Sequence, residues 1–305
     1  MNESYKNSNA SLILTMENVY KSYPVRGGED KLVLNNINLS VSKGSFISVV
    51  GPTGCGKSTM FRLLLGEEPP TSGIVKVNGK IVTKPDRNRG VVFQKYSLFP
   101  HLNVIENVSY GLELEEFTIS GRYLNPLKYS VKKKLYREQA MSYLESVGLG
   151  ESANKFPTEL SGGMRQRAAI AQALIMNPEI LFMDEPFGAL DEGTRLDMQL
   201  FLLQLWEKTN MTVFFVTHDL EEALYMGTRV LVLSQYYSSN DGPAKGSKFV
   251  IDKSIPGKSP RPSESRYTQE FNKLLAQIRK DGLDPDYKQD IKDFDLSHRL
   301  ALKGI

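Results

Sequence analysis

Apolar runs with β character and stretches of helical period alternate along this chain. Residues 11–16, 31–41 and 46–50 read as short strands, and the last of these is apolar throughout, as a strand buried on both faces should be. From Gly51 the sequence turns glycine-rich and then favours helix over residues 59–65. A hairpin is expected at residues 73–82 around Asn78-Gly79, and another short strand at 90–93. Residues 104–150 read as largely helical. There Tyr136, Ala140, Tyr143, Leu144 and Val147 share one helix face and Gly148 supplies a stop, which predicts a helical insertion between two β-rich halves. Strands return at 180–184, 211–216 and 229–233, with helical patterns at 165–176 and 194–208 between them. Such alternation predicts an α/β fold with a mainly parallel sheet covered on both faces.

Beyond Leu233 the composition shifts to turn-forming residues and then to three prolines in IPGKSPRP. Phe271, Leu274, Leu275 and Ile278 then mark one short amphipathic helix before Gly282. Residues 236–305 therefore read as a C-terminal extension and residues 1–10 as a disordered lead-in. The extension has two readings, an appendage that packs its one helix on the domain or a regulatory or dimer-contact segment. No internal repeat or sustained heptad pattern occurs.

Composition narrows the function classes. The 305 residues are 40% hydrophobic and 24% charged, within the range of folded globular proteins and long enough for about two domains or subdomains. A net charge of +3 is too small to argue a nucleic-acid protein. The one cysteine, Cys55, cannot form an intrachain disulfide, and with three histidines it cannot furnish a cysteine-rich zinc site. No apolar run approaches the roughly 20 residues needed to cross a bilayer, and the polar start MNESYKNSNAS lacks a secretory h-region. A cytoplasmic location is expected.

The sharpest chemistry lies at Gly51-Pro52-Thr53-Gly54-Cys55-Gly56-Lys57-Ser58, which matches G-x-x-x-x-G-K-[ST] between an apolar strand and a helix. The glycines let successive backbone N–H groups line a nest for an anion, reinforced by the positive end of the following helix. Lys57 would neutralise β- and γ-phosphates, Ser58 would offer its hydroxyl to Mg²⁺, and Thr59 would donate to the α-phosphate. Cys55 is either a small residue that fits the loop or a thiol activated by the helix N-terminus.

A second apolar strand, residues 180–184, ends in Asp184-Glu185, at the edge where ligands of open α/β sheets bind. Asp184 is the Mg²⁺ candidate and Glu185 the candidate to orient and deprotonate an attacking water. His218 follows a third apolar strand, and Gln94 stands in VVFQ; alone, either is as readily an ordinary polar residue. Ser161, Gly162 and Gly163 open a further helix, a second anion-binding start. One nucleotide needs a single phosphate loop, so the two starts suggest that each closes on a nucleotide held elsewhere.

Together these residues resemble the ATP-binding subunit of an ABC transporter over roughly residues 12–235. The phosphate loop, Gln94, LSGGM at 160–164, MDEP at 183–186, GALD at 188–191 and His218 occur in the family's order. The resemblance implies a P-loop NTPase (RecA-like) core with an antiparallel β subdomain and an α-helical subdomain at about 95–165. It also implies that Tyr23 stacks on adenine, that Ser58, Gln94 and Asp184 surround Mg²⁺, and that His218 contacts the γ-phosphate. Ser161 to Gly163 would serve the nucleotide of a second copy, with Asp191 near the dimer seam, so that two copies sandwich two ATP molecules.

Gln94 and the helical region after it resemble the surface that docks on a membrane permease, placing the subunit peripherally at the cytoplasmic face of the membrane. The wording around these motifs is most similar to importers of the nitrate, sulfonate and taurine group, fed by a soluble binding protein. The other class to set against import is a soluble ABC ATPase acting on nucleic acid or ribosomes. Such proteins usually carry tandem cassettes, coiled coils or zinc modules, none of which is visible here. Two departures from the family pattern are a longer helical region around 115–132 and the long tail.

Overall fold

The computed structural model describes residues 11–93, 98–118, 124–239, 242–243, 245–255 and 261–301. The expected lead-in at 1–10, and Gln94, lie outside the described residues. The chain divides into two compact units. The first comprises residues 1–85, 209–212 and 218–305, the second residues 86–208 and 213–217.

In the first unit, β1 (Leu12–Tyr23), β2 (Lys31–Ser42), β4 (Ser72–Val77) and β5 (Lys80–Ile81) form an antiparallel sheet in the order β2-β1-β4-β5. Asn78 and Gly79, at φ +50° and +73°, make the turn between β4 and β5 that the Asn-Gly pair predicts. The apolar run after β2 becomes β3 (Phe46–Val50), buried at every position. Parallel to it runs β9 (Arg229–Ser234), with Ile47 opposite Arg229 and Val50 opposite Val232. Helices α1 (Lys57–Leu65) and α6 (Leu220–Met226) belong to the same unit.

The extension does more than pack one helix. Its residues Lys248–Ser254 form β12, antiparallel to β9, an edge strand that sequence reading did not anticipate. Phe249-Val250-Ile251 is too short an apolar run to stand out from its Gly, Ser and Pro surroundings; pairing with β9 is what fixes it as strand. The expected amphipathic helix is α7 (Gln269–Ile278), and Phe271 and Ile278 join Val50, Leu224, Val232 and Ile251 in one buried cluster. Short strands β10 (Tyr237–Ser239), β11 (Gly242–Pro243) and β13 (Gln289–Asp290) form a small sheet in the order β11-β10-β13.

The second unit holds β6 (Arg89–Val92), β7 (Ile180–Asp184) and β8 (Thr212–Val216), in the order β8-β7-β6. Its helical part is α2 (Val104–Glu116), α3 (Pro126–Ser146) and α4 (Gly162–Leu174), followed by α5 (Glu192–Thr209). Asn103 caps α2 in a reciprocal capping box with Glu106. Tyr136, Ala140 and Leu144 form the buried face of α3, as their spacing predicts.

Candidate functional site

The phosphate loop joins β3 to α1. Gly54 and Gly56 adopt φ +77° and +99°, left-handed values that disfavour side chains with a Cβ. A Cβ on Gly51 would lie 2.2 Å from Leu233 O and 2.7 Å from the Cys55 sulfur, so the backbone comes this close only without a side chain. Gly56 opens α1 without a side-chain cap, whereas the helices that follow start on Asn103, Asn125, Ser161, Asp191, Asp219 and Thr268. No side-chain oxygen caps the first turn of α1, the arrangement in which helix starts can accept an anion.

Lys57 Nζ donates to Gly51 O at 2.7 Å and Pro52 O at 3.0 Å, which places the ammonium across the loop. Thr53, Gly54 and Ser58 are exposed, Pro52 half-buried and Thr59 buried; Arg62 Nη2 lies 3.5 Å from the Thr59 hydroxyl. Cys55 is 1% exposed, and burial pushes its thiol up despite the nearby Lys57. It fills the loop as a small apolar residue, and the activated-thiol reading is set aside.

Tyr23 ends β1 and donates its hydroxyl to Glu68 Oε2 at 2.8 Å. Burial works against ionisation of Glu68, but Tyr23, Lys21 and Arg62 together hold its carboxyl below the usual range; both cations lie 3.0 Å away. The tyrosine is thus tied to Glu68, just after α1, and through it to Arg62 within the helix. His218 is exposed in the first unit, directly before Asp219, which caps α6 through Glu221 N and Glu222 N.

The second unit carries the acidic pair. Asp184 is half-buried at the end of β7. Glu185 has φ +46°; the other described non-glycine residues at positive φ are Asn18, Asn36, Asn78, Asn177 and Asn210, and Asn tolerates that region. A glutamate there costs on the order of 1–3 kcal/mol, a strain found mostly at functional positions. Its backbone is held on both sides, by Glu185 N to Val216 O at 2.9 Å and Gly188 N to Glu185 O at 3.2 Å.

The same unit brings the Ser-Gly-Gly start of α4 near Asp191. Ser161 Oγ accepts from Met164 N at 3.3 Å, and a Cβ on Gly163 would lie 2.6 Å from Thr194 Cγ2. Thr194 N in turn donates to Asp191 Oδ1 at 3.0 Å, a bond that lowers the Asp191 pKa. Gly163 and Asp191 thus share one neighbour, Thr194. Sequence reading missed it, although Asp-x-x-Thr is a readable cap spacing. Lys21, Arg62 and Glu68 were missed as well, and nothing local marks them as supports of Tyr23.

The chain matches the ABC transporter family over residues 34–188. It is 40% identical over 246 residues to the bicarbonate transport ATP-binding protein CmpC of Synechococcus elongatus; the match covers 81% of this chain and 34% of CmpC. The chain therefore spans about a third of that relative. An uncharacterized ABC transporter ATP-binding protein of Methanocaldococcus jannaschii is 39% identical over 92% of this chain and 96% of its own length. The taurine import ATP-binding protein TauB of Rhizobium johnstonii is 42% identical over 73% of this chain and 79% of its own. Among solved structures, a dimeric post-hydrolysis state of an ATP-binding cassette bound to ADP and Pi superposes with TM-score 0.63 at 32% identity, covering 81% of this chain and all of that one. This chain belongs to the ABC transporter family.

Proposed function

We propose that this chain binds ATP with Mg²⁺, hydrolyses it between two copies of itself, and so powers import of a small solute through a separate membrane permease. The observation that carries the reading is the uncapped start of α1 behind a glycine loop, with Lys57 laid across it. The first-turn N–H groups and Lys57 would hold the phosphates, and Tyr23 would stack on the base.

As the resemblance implies, Mg²⁺ would be held by the Ser58 hydroxyl, the Asp184 carboxylate and the Gln94 amide, oxygen donors of the kind a hard cation takes. Bound there, it would neutralise charge on the transferring phosphoryl group. Glu185 would take the proton of a water attacking the γ-phosphorus. The bond from that phosphorus to the bridging oxygen breaks, leaving ADP and inorganic phosphate. His218 would contact the γ-phosphate. Ser161 to Gly163 would present their N–H groups to the nucleotide of the second copy, beside Asp191.

Among the described residues, no helix is long and apolar enough to cross a membrane, so the membrane path would come from a partner. On α3, Leu127, Val131 and Leu135 are 82%, 71% and 43% exposed at spacings of four, an apolar stripe that suits docking on permease loops at the cytoplasmic face. Direction and solute would follow the relatives' names, import of a small anion or zwitterion, and the resemblance implies delivery by a solute-binding protein. Glu185→Gln is expected to lower phosphate release about 10²- to 10⁴-fold while ATP binding survives. Near-normal hydrolysis in that variant would remove Glu185 from the role.

A further inference from the structure

A cavity of about 430 Å³ lies beside the phosphate loop, and of its wall only Gly54 has a role above. Its wall includes Gly54 of the loop, Lys31 and Leu32 at the start of β2, and Tyr236, Pro285 and Lys288 of the extension. All of these belong to the first unit. The extension is held against β2 here: Ser247 N donates to Val33 O at 2.8 Å, and Asn35 N to Ser247 O at 2.9 Å. Tyr237, 2% exposed, is fixed behind the wall with its hydroxyl 3.0 Å from Gly246 O.

The lining contains two lysines and no Asp or Glu. Lys31 and Lys288 are both exposed at its edge, free to turn toward a ligand. On Gly54 a Cβ would meet nothing within 4 Å, so the loop is open at this point. The volume falls in the range of small-molecule sites, about 300–1,000 Å³. Two lysines and no acid in the wall favour an anion, and a tyrosine and a proline there suit a flat body.

We propose that this cavity is a second, non-hydrolytic site for an organic phosphate of nucleotide size, with its phosphates between Lys31 and Lys288 and its base against Tyr236. Because Gly54 belongs to both the cavity and the loop, occupancy would bias the loop's grip on its own nucleotide. The inference rests on the phosphate-loop reading for that consequence only.

The test is equilibrium binding of radiolabelled ADP to the full chain, counted per chain. Two ADP are expected for the wild type, one for Lys57→Ala, and none when Lys31→Glu and Lys288→Glu are added to it. Tyr236→Ala should weaken the site that remains in Lys57→Ala about tenfold, the size of a lost base stack. One ADP per chain in the wild type, or a count unmoved by the Lys31→Glu and Lys288→Glu pair, overturns the proposal. A count that drops with that pair but not with Lys57→Ala upholds the second site and faults the phosphate-loop assignment instead.

Discussion

The phosphate loop and the C-terminal extension are built in opposite ways. The loop takes its shape from eight consecutive residues, through glycine conformations and one lysine that folds back on its own carbonyls. The extension works through partners far away in sequence. Asp252 on β12 accepts from Arg229 Nε at 2.6 Å and Nη2 at 2.5 Å, and both residues are 3% exposed. Arg261 donates to Tyr225 O at 3.0 Å, Gly227 O at 2.8 Å and Ile255 O at 3.2 Å, and the Arg266 guanidinium lies 3.8 Å from the Tyr225 ring centre. A local device forms the proposed phosphate site while a distributed one holds the extension in place, so the two should fail differently when broken.

The largest effect is expected from ending the chain at residue 235. That removes β12 from the edge of β9 and takes with it Asp252, the counter-charge of Arg229. The shortened chain should show no cooperative thermal transition; a transition at the full-length temperature would make the extension dispensable. Asp252→Ala isolates the charge. Breaking a buried pair from one side costs about 3–5 kcal/mol, which urea unfolding would read. Lys57→Ala on the loop should leave stability unchanged within about 0.5 kcal/mol while abolishing ATP binding at the phosphate loop.

Gly56→Ala tests whether the two regions are separable at all. At φ +99°, with the new Cβ 2.9 Å from Val33 Cγ1, it should cost about 1–3 kcal/mol and weaken ATP binding as well. If unfolding shows no loss, the left-handed conformation is not required. The smallest effect is a pH dependence of the extension. Burial, with Arg229 and Arg299 adding repulsion, pushes the His298 imidazole down to about 4. The unfolded chain therefore takes up the proton first, and stability should be full above about pH 6.5 and fall on the order of 1–2 kcal/mol toward pH 4. His298→Asn should flatten that slope in urea midpoints measured across the range.

What could be read from the sequence follows the same division. The strands and helices that carry their own period, such as β3, β7 and the buried face of α3, were legible, as were the glycine loop and the Ser-Gly-Gly helix start. Strand β12 was not, because its three apolar residues become a strand only through register with β9. The positive φ of Glu185 was likewise invisible, since a glutamate carries no signal for that conformation. The Glu68 support of Tyr23 lies 45 residues away along the chain and had no local mark.

The most direct test is the mass in solution of the Glu185→Gln chain with and without ATP and Mg²⁺. Hydrolysis between paired copies predicts single chains without nucleotide, a two-chain complex with one ATP at each phosphate loop when it is present, and single chains again once Ser161→Arg blocks the second helix start. Single chains at saturating ATP in the Glu185→Gln protein would contradict it.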